Sequence, residues 1–95
     1  MATLTVLPEA AADLARLDDF LRPLNRSAAD RALSVIDKGL VRLQRFPRLG
    51  RPLDDHPGYR ELYLPFGAAA YVLRYRLIER AVVVVRIWHS REARR

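Results

Sequence analysis

Residues 59–91, YRELYLPFGAAAYVLRYRLIERAVVVVRIWHSR, decide the fold, because they read as three consecutive antiparallel strands. In the middle segment Tyr71, Leu73, Tyr75 and Leu77 stand at one parity, and Val72, Arg74 and Arg76 at the other. Strand side chains have period 2, so this is a half-buried strand with a dry face and a basic face. The next segment, Arg80 to His89, holds the four-valine run Val82 to Val85. A run so rich in β-branched residues reads as a central strand with a neighbour on each side. A two-residue turn at Glu79-Arg80 pairs Ile78 with Ala81, Leu77 with Val82 and Tyr75 with Val84. Carried to the strand end, that register puts Val82, Val84, Arg86 and Trp88 on the dry face. It sends Val83, Val85, Ile87, His89 and Arg91 to the side of Arg74 and Arg76.

Upstream, Ala2 to Leu7 alternates weakly and reads as a short strand. Pro8 suits the first position of a helix and Glu9 its positive end. Ala10, Leu14, Leu17 and Leu21 form one apolar stripe, and Pro23 ends the helix. Ser27-Ala28-Ala29-Asp30 has the form of a capping box, with Ser27 as the cap. A second stripe follows at Ala29, Leu33, Ile36, Leu40 and Leu43, ended by Pro47. Gly39 inside it costs about 1 kcal/mol relative to alanine, which points to a close approach by a neighbouring element. Residues 48–58, with two prolines and two glycines and no period, read as a surface loop. The predicted architecture is α+β: a short N-terminal strand, a two-helix hairpin and a three-stranded antiparallel meander, with the helices packed on one sheet face. Its core is expected to hold Leu14, Leu17, Leu33, Ile36, Leu40, Tyr75, Leu77, Val82, Val84 and Trp88.

The chain has 95 residues, 51% of them hydrophobic, which suits one domain over residues 1–95 with a modest core. Cysteine is absent, which excludes disulfides and thiolate metal sites. With two histidines and scattered carboxylates, no metal centre and no cofactor are expected. No signal region and no long apolar run appears, which places the chain in the cytoplasm, away from membranes. The net charge of +6 calls for an acidic partner, whether nucleic acid or an acidic protein segment.

His89 titrates near neutrality and is a candidate acid or base, yet spacing fixes no second catalytic group beside it. A polar strand-end residue is the simpler reading. His56, in the Pro-Gly loop, is expected in solvent. Arg74 and Arg76 suit phosphates or carboxylates, or are solvated residues of an uncovered face. An apolar and cationic sheet surface invites a docked strand or helix, so Arg74, Arg76, Val83, Val85, Ile87, His89 and Arg91 are the candidate partner-binding residues. The tail from Arg91 to Arg95 is expected to fray, its charge available to a target.

Several motifs in order resemble the RelE/ParE superfamily of small bacterial toxins from type II toxin–antitoxin modules. They are Pro8-Glu9-Ala10 with Asp13-Leu14, Pro47-Arg48-Leu49-Gly50-Arg51-Pro52, Gly58-Tyr59-Arg60-Glu61-Leu62, Tyr71-Val72-Leu73-Arg74-Tyr75-Arg76 and Ile87-Trp88-His89-Ser90-Arg91. The resemblance implies a cognate antitoxin as partner in a hetero-oligomer. For the RelE-like branch it implies ribosome-dependent mRNA cleavage, and for the ParE-like branch the poisoning of DNA gyrase. By the same resemblance Arg60 matches the first basic residue of the second strand of the ribonucleases, and Arg91 the arginine after the last strand. His89 falls where some ribonuclease members carry a catalytic histidine. These three are the candidate catalytic residues. Against them, an arginine of the ribonucleases falls on Val72, their second lysine on Leu62, and their C-terminal helix with its tyrosine is missing. The departures favour a ParE-like toxin that acts by binding rather than as an enzyme. A ribosome-dependent endonuclease and a non-toxic antitoxin-binding module are the alternatives.

Overall fold

The computed structural model describes residues 1–92, so the last three residues of the expected tail lie outside the described residues. The elements in order are β1 (Thr3–Val6), α1 (Pro8–Leu21), α2 (Arg26–Arg45), β2 (Arg51–Pro52), β3 (Tyr59–Phe66), β4 (Ala69–Ile78) and β5 (Ala81–His89). They form one five-stranded sheet in the order β1-β5-β4-β3-β2. β5 is central, between the antiparallel β4 and the parallel β1, as its four valines require. The loop expected over 48–58 contains one unforeseen strand, since β2 pairs with β3 at Arg51↔Glu61 and Pro52↔Arg60. Among the described residues no helix is long and apolar enough to cross a membrane.

Both helices pack on the same sheet face, α1 chiefly on β5 and α2 on β3. Pro8 sits in the first turn of α1 beside Glu9. The cap of α2 is Asn25 rather than Ser27: its side-chain oxygen accepts from the Ala28 N–H at 2.9 Å. Ser27 lies inside the helix and accepts from Arg31, while Asp30 pairs with Arg22 at 2.9 Å and ties the hairpin together. Gly39 faces β3 so closely that a Cβ there would stand 2.6 Å from Leu64 Cδ1. The core holds Leu17, Ile36, Leu40, Leu43, Leu62, Leu64, Leu73, Tyr75, Val82, Val84 and Ile87. Leu14 and Leu77 are partly buried against it, and Leu33 is half-buried.

The turn register is as predicted, with Ile78↔Ala81, Leu77↔Val82 and Tyr75↔Val84. It does not run to the strand end. A bulge leaves Val85 without a partner, and beyond it Arg74 faces Arg86, Leu73 faces Ile87, Val72 faces Trp88 and Tyr71 faces His89. One extra residue reverses parity, so everything after the bulge changes face. Ile87 and His89 therefore join Tyr71 and Leu73 on the helix side, with Ile87 fully buried. Trp88 moves to the opposite face, outside the main core. An unbroken register would have placed Arg86 at the parity of the buried Val84, whereas here its side chain is 57% exposed.

Asp13 explains what holds the bulged segment. β1 leaves β5 after Val84, where the Leu7 N–H donates to the Val84 carbonyl at 3.0 Å. Past that point the edge of β5 is capped by the Asp13 carboxylate on α1. It accepts from the Ile87 N–H at 2.9 Å and from Arg86 Nε and Nη2 at 2.7 and 3.1 Å. Burial pushes the Asp13 carboxyl up. The hydrogen bonds from Arg86 and Ile87, with the charge of Arg86 and a hydrogen bond from Arg16, outweigh burial and hold it below the ordinary carboxylate range.

Candidate functional site

The face change splits the predicted partner-binding residues between two surfaces. The first is a groove of about 620 Å³ between the second half of α1 and the ends of β3, β4 and β5. Leu17, Leu21, Phe66 and Tyr71 line it. Phe20 at its lip is 73% exposed, and Leu24 in the turn after α1 is 71% exposed. These are large apolar side chains left in water at one end of a small protein. Tyr71 lies between Phe66, tilted at 48°, and His89, edge-on at 81°, with both ring centroids 5.3 Å away. His89 Nδ1 accepts from the Arg91 N–H at 3.2 Å. That amide is its hydrogen-bond partner, and among the described residues no carboxylate is bonded to the ring. Burial, and then the charge of Glu92, push the Tyr71 phenol up, which keeps it neutral. Arg16 crosses the rim to Glu92, with Nη1 2.9 and 2.8 Å from the two carboxylate oxygens. The tail thus begins anchored on α1 rather than frayed. Arg91 stands exposed beside it with no acidic partner among the described residues.

The second surface is the face away from the helices. Arg74 is not held out to a partner there: its Nε and Nη2 bond Glu61 Oε2 at 2.9 and 2.7 Å. Glu61 is 3% exposed, and the Tyr63 hydroxyl donates to its other oxygen at 3.3 Å. The Arg74 guanidinium also lies 5.1 Å from the Trp88 ring centroid, and Arg76 lies 5.1 Å from that of Tyr59. Each such stack contributes about 0.5–1 kcal/mol where exposed. Arg76 and Val83 share this face in register, as expected. Ile87, His89 and Arg91 do not join them. Ile87 is core, and His89 and Arg91 line the groove on the other side.

Arg60 belongs to neither surface as a free cation. It pairs with Tyr75, so its parity is that of the helix side, and its Nη1 donates to the Gly50 and Arg48 carbonyls at 2.7 and 3.2 Å. The Tyr75 hydroxyl completes this clamp, accepting from the Gly50 N–H and donating to the Pro47 carbonyl, both at 2.8 Å. Together they hold the Pro47–Gly50 segment against β3 and β4. The candidate catalytic residues therefore do not converge with Arg74 and Arg76. Val72 and Leu62, where the ribonucleases place basic residues, are 1% and 8% exposed and carry no charge. Among the described residues no group of three or more histidines and acids stands ready for a metal. His56 pairs with Asp55 in the loop at 3.2 Å and is half-exposed.

Sequence reasoning missed Asp13, Glu61, Phe20 and the Arg16–Glu92 latch. Asp13 carried a signal, since it stands three residues after Ala10 and four before Leu17, inside the apolar stripe. Glu61 sits at the parity of Tyr59 and Tyr63, opposite Arg74. Phe20 and the latch had none, because they depend on where the end of β5 falls after the bulge.

Residues 4–94 match the family described as ParE toxin of type II toxin-antitoxin system, parDE. The chain is 42% identical over 94 residues to Toxin RelE3 of Caulobacter vibrioides, covering 99% of this chain and 100% of that one. It is 39% identical over 92 residues to Toxin RelE1 of the same organism, covering 97% of each. Among solved structures it is similar to a chromosomal ParDE TA system from P. aeruginosa. The TM-score is 0.76 at 26% identity, covering 94% of this chain and 96% of that one. The order of elements, the paired helices on one sheet face and the matched sequence agree, and the chain belongs to the ParE toxin family of type II toxin–antitoxin systems.

Proposed function

We propose that this toxin arrests growth in the ParE-like manner, by binding and poisoning DNA gyrase, and that its antitoxin neutralises it through the apolar groove beside α1. That the chain is the toxin of such a pair, with an antitoxin for partner, follows from its family. The observation that carries the finer reading is the dispersal of ribonuclease chemistry. His89 pairs with Tyr71 and lines the groove with Arg91, whereas Arg60 pairs with Tyr75, four residues along β4, and clamps a loop. Cleavage of RNA at neutral pH needs an acid or base and cations aimed at one phosphate. Binding needs no such convergence. The relatives named RelE give the second reading, a ribosome-dependent mRNA endonuclease, its place as the alternative.

The antitoxin reading rests on the exposed Phe20 and Leu24 and on the rim cation Arg91, Arg16 being held by Glu92. An amphipathic segment with aromatic or aliphatic anchors and acidic flanks fits both features. The test is induced expression without the antitoxin, followed by separate readouts of plasmid supercoiling and mRNA integrity. Arrest with relaxed or broken DNA and intact mRNA is the expected result. Codon-dependent mRNA cuts within minutes would overturn it in favour of the endonuclease. Normal growth would favour a toxin that has lost its activity and only binds its antitoxin.

A further inference from the structure

We infer that a second pocket, at the opposite end of the sheet from the groove, grips the phosphodiester backbone of duplex DNA. It lies where the start of β1, the end of α2 and the β4–β5 turn meet, and has a volume of about 510 Å³. Arg45, Arg48 and Arg80 line it, with Glu79 the one carboxylate and Gln44 and Leu77 beside them. Along β4 it stands six residues from the groove, from Leu77 to Tyr71, or roughly 20 Å at about 3.3 Å per residue.

Three features make this a site rather than a sample of an arginine-rich surface. The first is pairing. Among the described residues Arg45, Arg48 and Arg80 have no ion pair, a state they share with Arg26, Arg31, Arg42, Arg51, Arg60, Arg76 and Arg91, but here three such arginines line one pocket. The second is assembly. The Ala2 N–H donates to the Gln44 carbonyl at 2.9 Å, and Gln44 Nε2 returns to the Ala2 carbonyl at 3.2 Å. The Thr3 N–H donates to the Arg80 carbonyl at 3.0 Å. These bonds tie the end of α2, which carries Arg45, and the β4–β5 turn, which carries Arg80, to the start of β1 before any ligand arrives. The third is charge balance. Three guanidiniums face one carboxylate, and the C-terminus of α2 adds only about half a negative charge.

Guanidinium groups with no internal acceptor suit phosphate oxygens, which accept from their planar donors. An acidic protein segment is the competing occupant, since Met1 lines this pocket and Phe46 and Ile78 are exposed beside it, and polyglutamate is its arm of the test below. The choice of DNA rests on the gyrase reading. A gyrase poison meets an enzyme already holding duplex, and a cationic pocket away from the antitoxin groove gives the toxin a hold on that duplex.

The test is fluorescence anisotropy of the full chain, freed from its antitoxin, with a labelled duplex of about 20 base pairs between about 50 and 200 mM salt. The comparison is between two charge-matched double variants: Arg45→Ala with Arg80→Ala in the pocket, and Arg26→Ala with Arg31→Ala at the start of α2. Circular dichroism confirms that each is folded. The pocket variant should bind about tenfold or more weakly and lose about two units of salt slope, while the other stays near the parent. Glu79→Gln should tighten binding. Equal losses in both doubles would reduce the effect to net charge and overturn the inference. So would absence of duplex binding at the lowest salt, or tighter binding to single-stranded RNA of the same sequence or to polyglutamate. Supercoiling by gyrase is measured separately on the same proteins. Inhibition without duplex binding would sink this inference and leave the gyrase reading standing, and pocket-dependent duplex binding without inhibition would do the reverse.

Discussion

Replacing Asp13 tests how β5 is held after β1 leaves it. Alanine at this position removes the acceptor for the Ile87 N–H and for two donors of Arg86. The two losses are unequal. Ile87 is fully buried, and an orphaned buried amide costs about 1–3 kcal/mol. The Arg86 side chain is 57% exposed, so its head turns to water, and the screened pair contributes about 1 kcal/mol at most. Asp13→Ala should therefore cost about 2–4 kcal/mol. Asp13→Asn keeps a carbonyl oxygen for Ile87 and should cost about 1 kcal/mol. Urea unfolding followed by Trp88 fluorescence reads the difference as a midpoint shift of about 1–2 M for the alanine variant at unchanged slope.

Acid adds a second axis. The folded carboxyl lies below its ordinary value, so its stabilising contribution is complete above the unfolded value near 4 and is lost as pH falls through the folded value. Parent and Asp13→Asn should converge as pH falls through that window. A gap that stays constant down to about pH 2 would show that ionisation of Asp13 contributes nothing. A cost below about 1 kcal/mol for Asp13→Ala at pH 7 would show that the carboxylate does not hold the strand edge.

The loop clamp gives a paired prediction. Tyr75→Phe leaves the Gly50 N–H without its 2.8 Å acceptor and should cost about 1–2 kcal/mol in the same assay. Gly50→Ala puts a methyl 2.7 Å from the Tyr75 hydroxyl and 2.9 Å from the Glu61 carbonyl, and should cost about 1–3 kcal/mol by overpacking. Leu40, 9% exposed on the core side of α2, should cost about 2–5 kcal/mol on change to alanine, and a value below about 1 kcal/mol would reject this helix face. Phe20→Glu, at a position 73% exposed, should leave the unfolding midpoint unchanged within error yet weaken antitoxin binding about tenfold or more in a titration. Unchanged affinity would place the antitoxin elsewhere.

The element order was legible because each signal was local. The stripes at Ala10–Leu21 and Ala29–Leu43, the prolines at 8, 23 and 47, and the alternation from Tyr71 to Leu77 need nothing beyond neighbouring residues. The parallel pairing of β1 with β5 and the short β2 were not legible, since four- and two-residue strands take their partners from the rest of the sheet. The cap moved from Ser27 to Asn25 for a related reason. Both are good caps, and the choice fell on the residue whose side chain meets the Ala28 N–H where the hairpin turns.

The bulge at Val85 mattered most for the functional surface. Val82-Val83-Val84-Val85-Arg86-Ile87-Trp88-His89 satisfies a period of 2 only by placing Arg86 among the dry residues, and that placement was itself the warning. A charged side chain at a core parity means either a buried partner or a break in the alternation. Here both occur: Asp13 supplies the partner and Val85 the break. Four side chains change meaning in consequence. Ile87 becomes core, Trp88 becomes the plate under Arg74, and His89 and Arg91 become the wall of an apolar groove. The expected cationic face is thus divided, His89 and Arg91 going to the groove and Arg74 and Arg76 to the far face, while Arg45, Arg48 and Arg80 stand at the other end of the sheet. That separation leaves room for the antitoxin and the target to hold different ends of the same toxin. If they do, charge reversal at the arginine end should abolish toxicity while the toxin still sequesters its antitoxin.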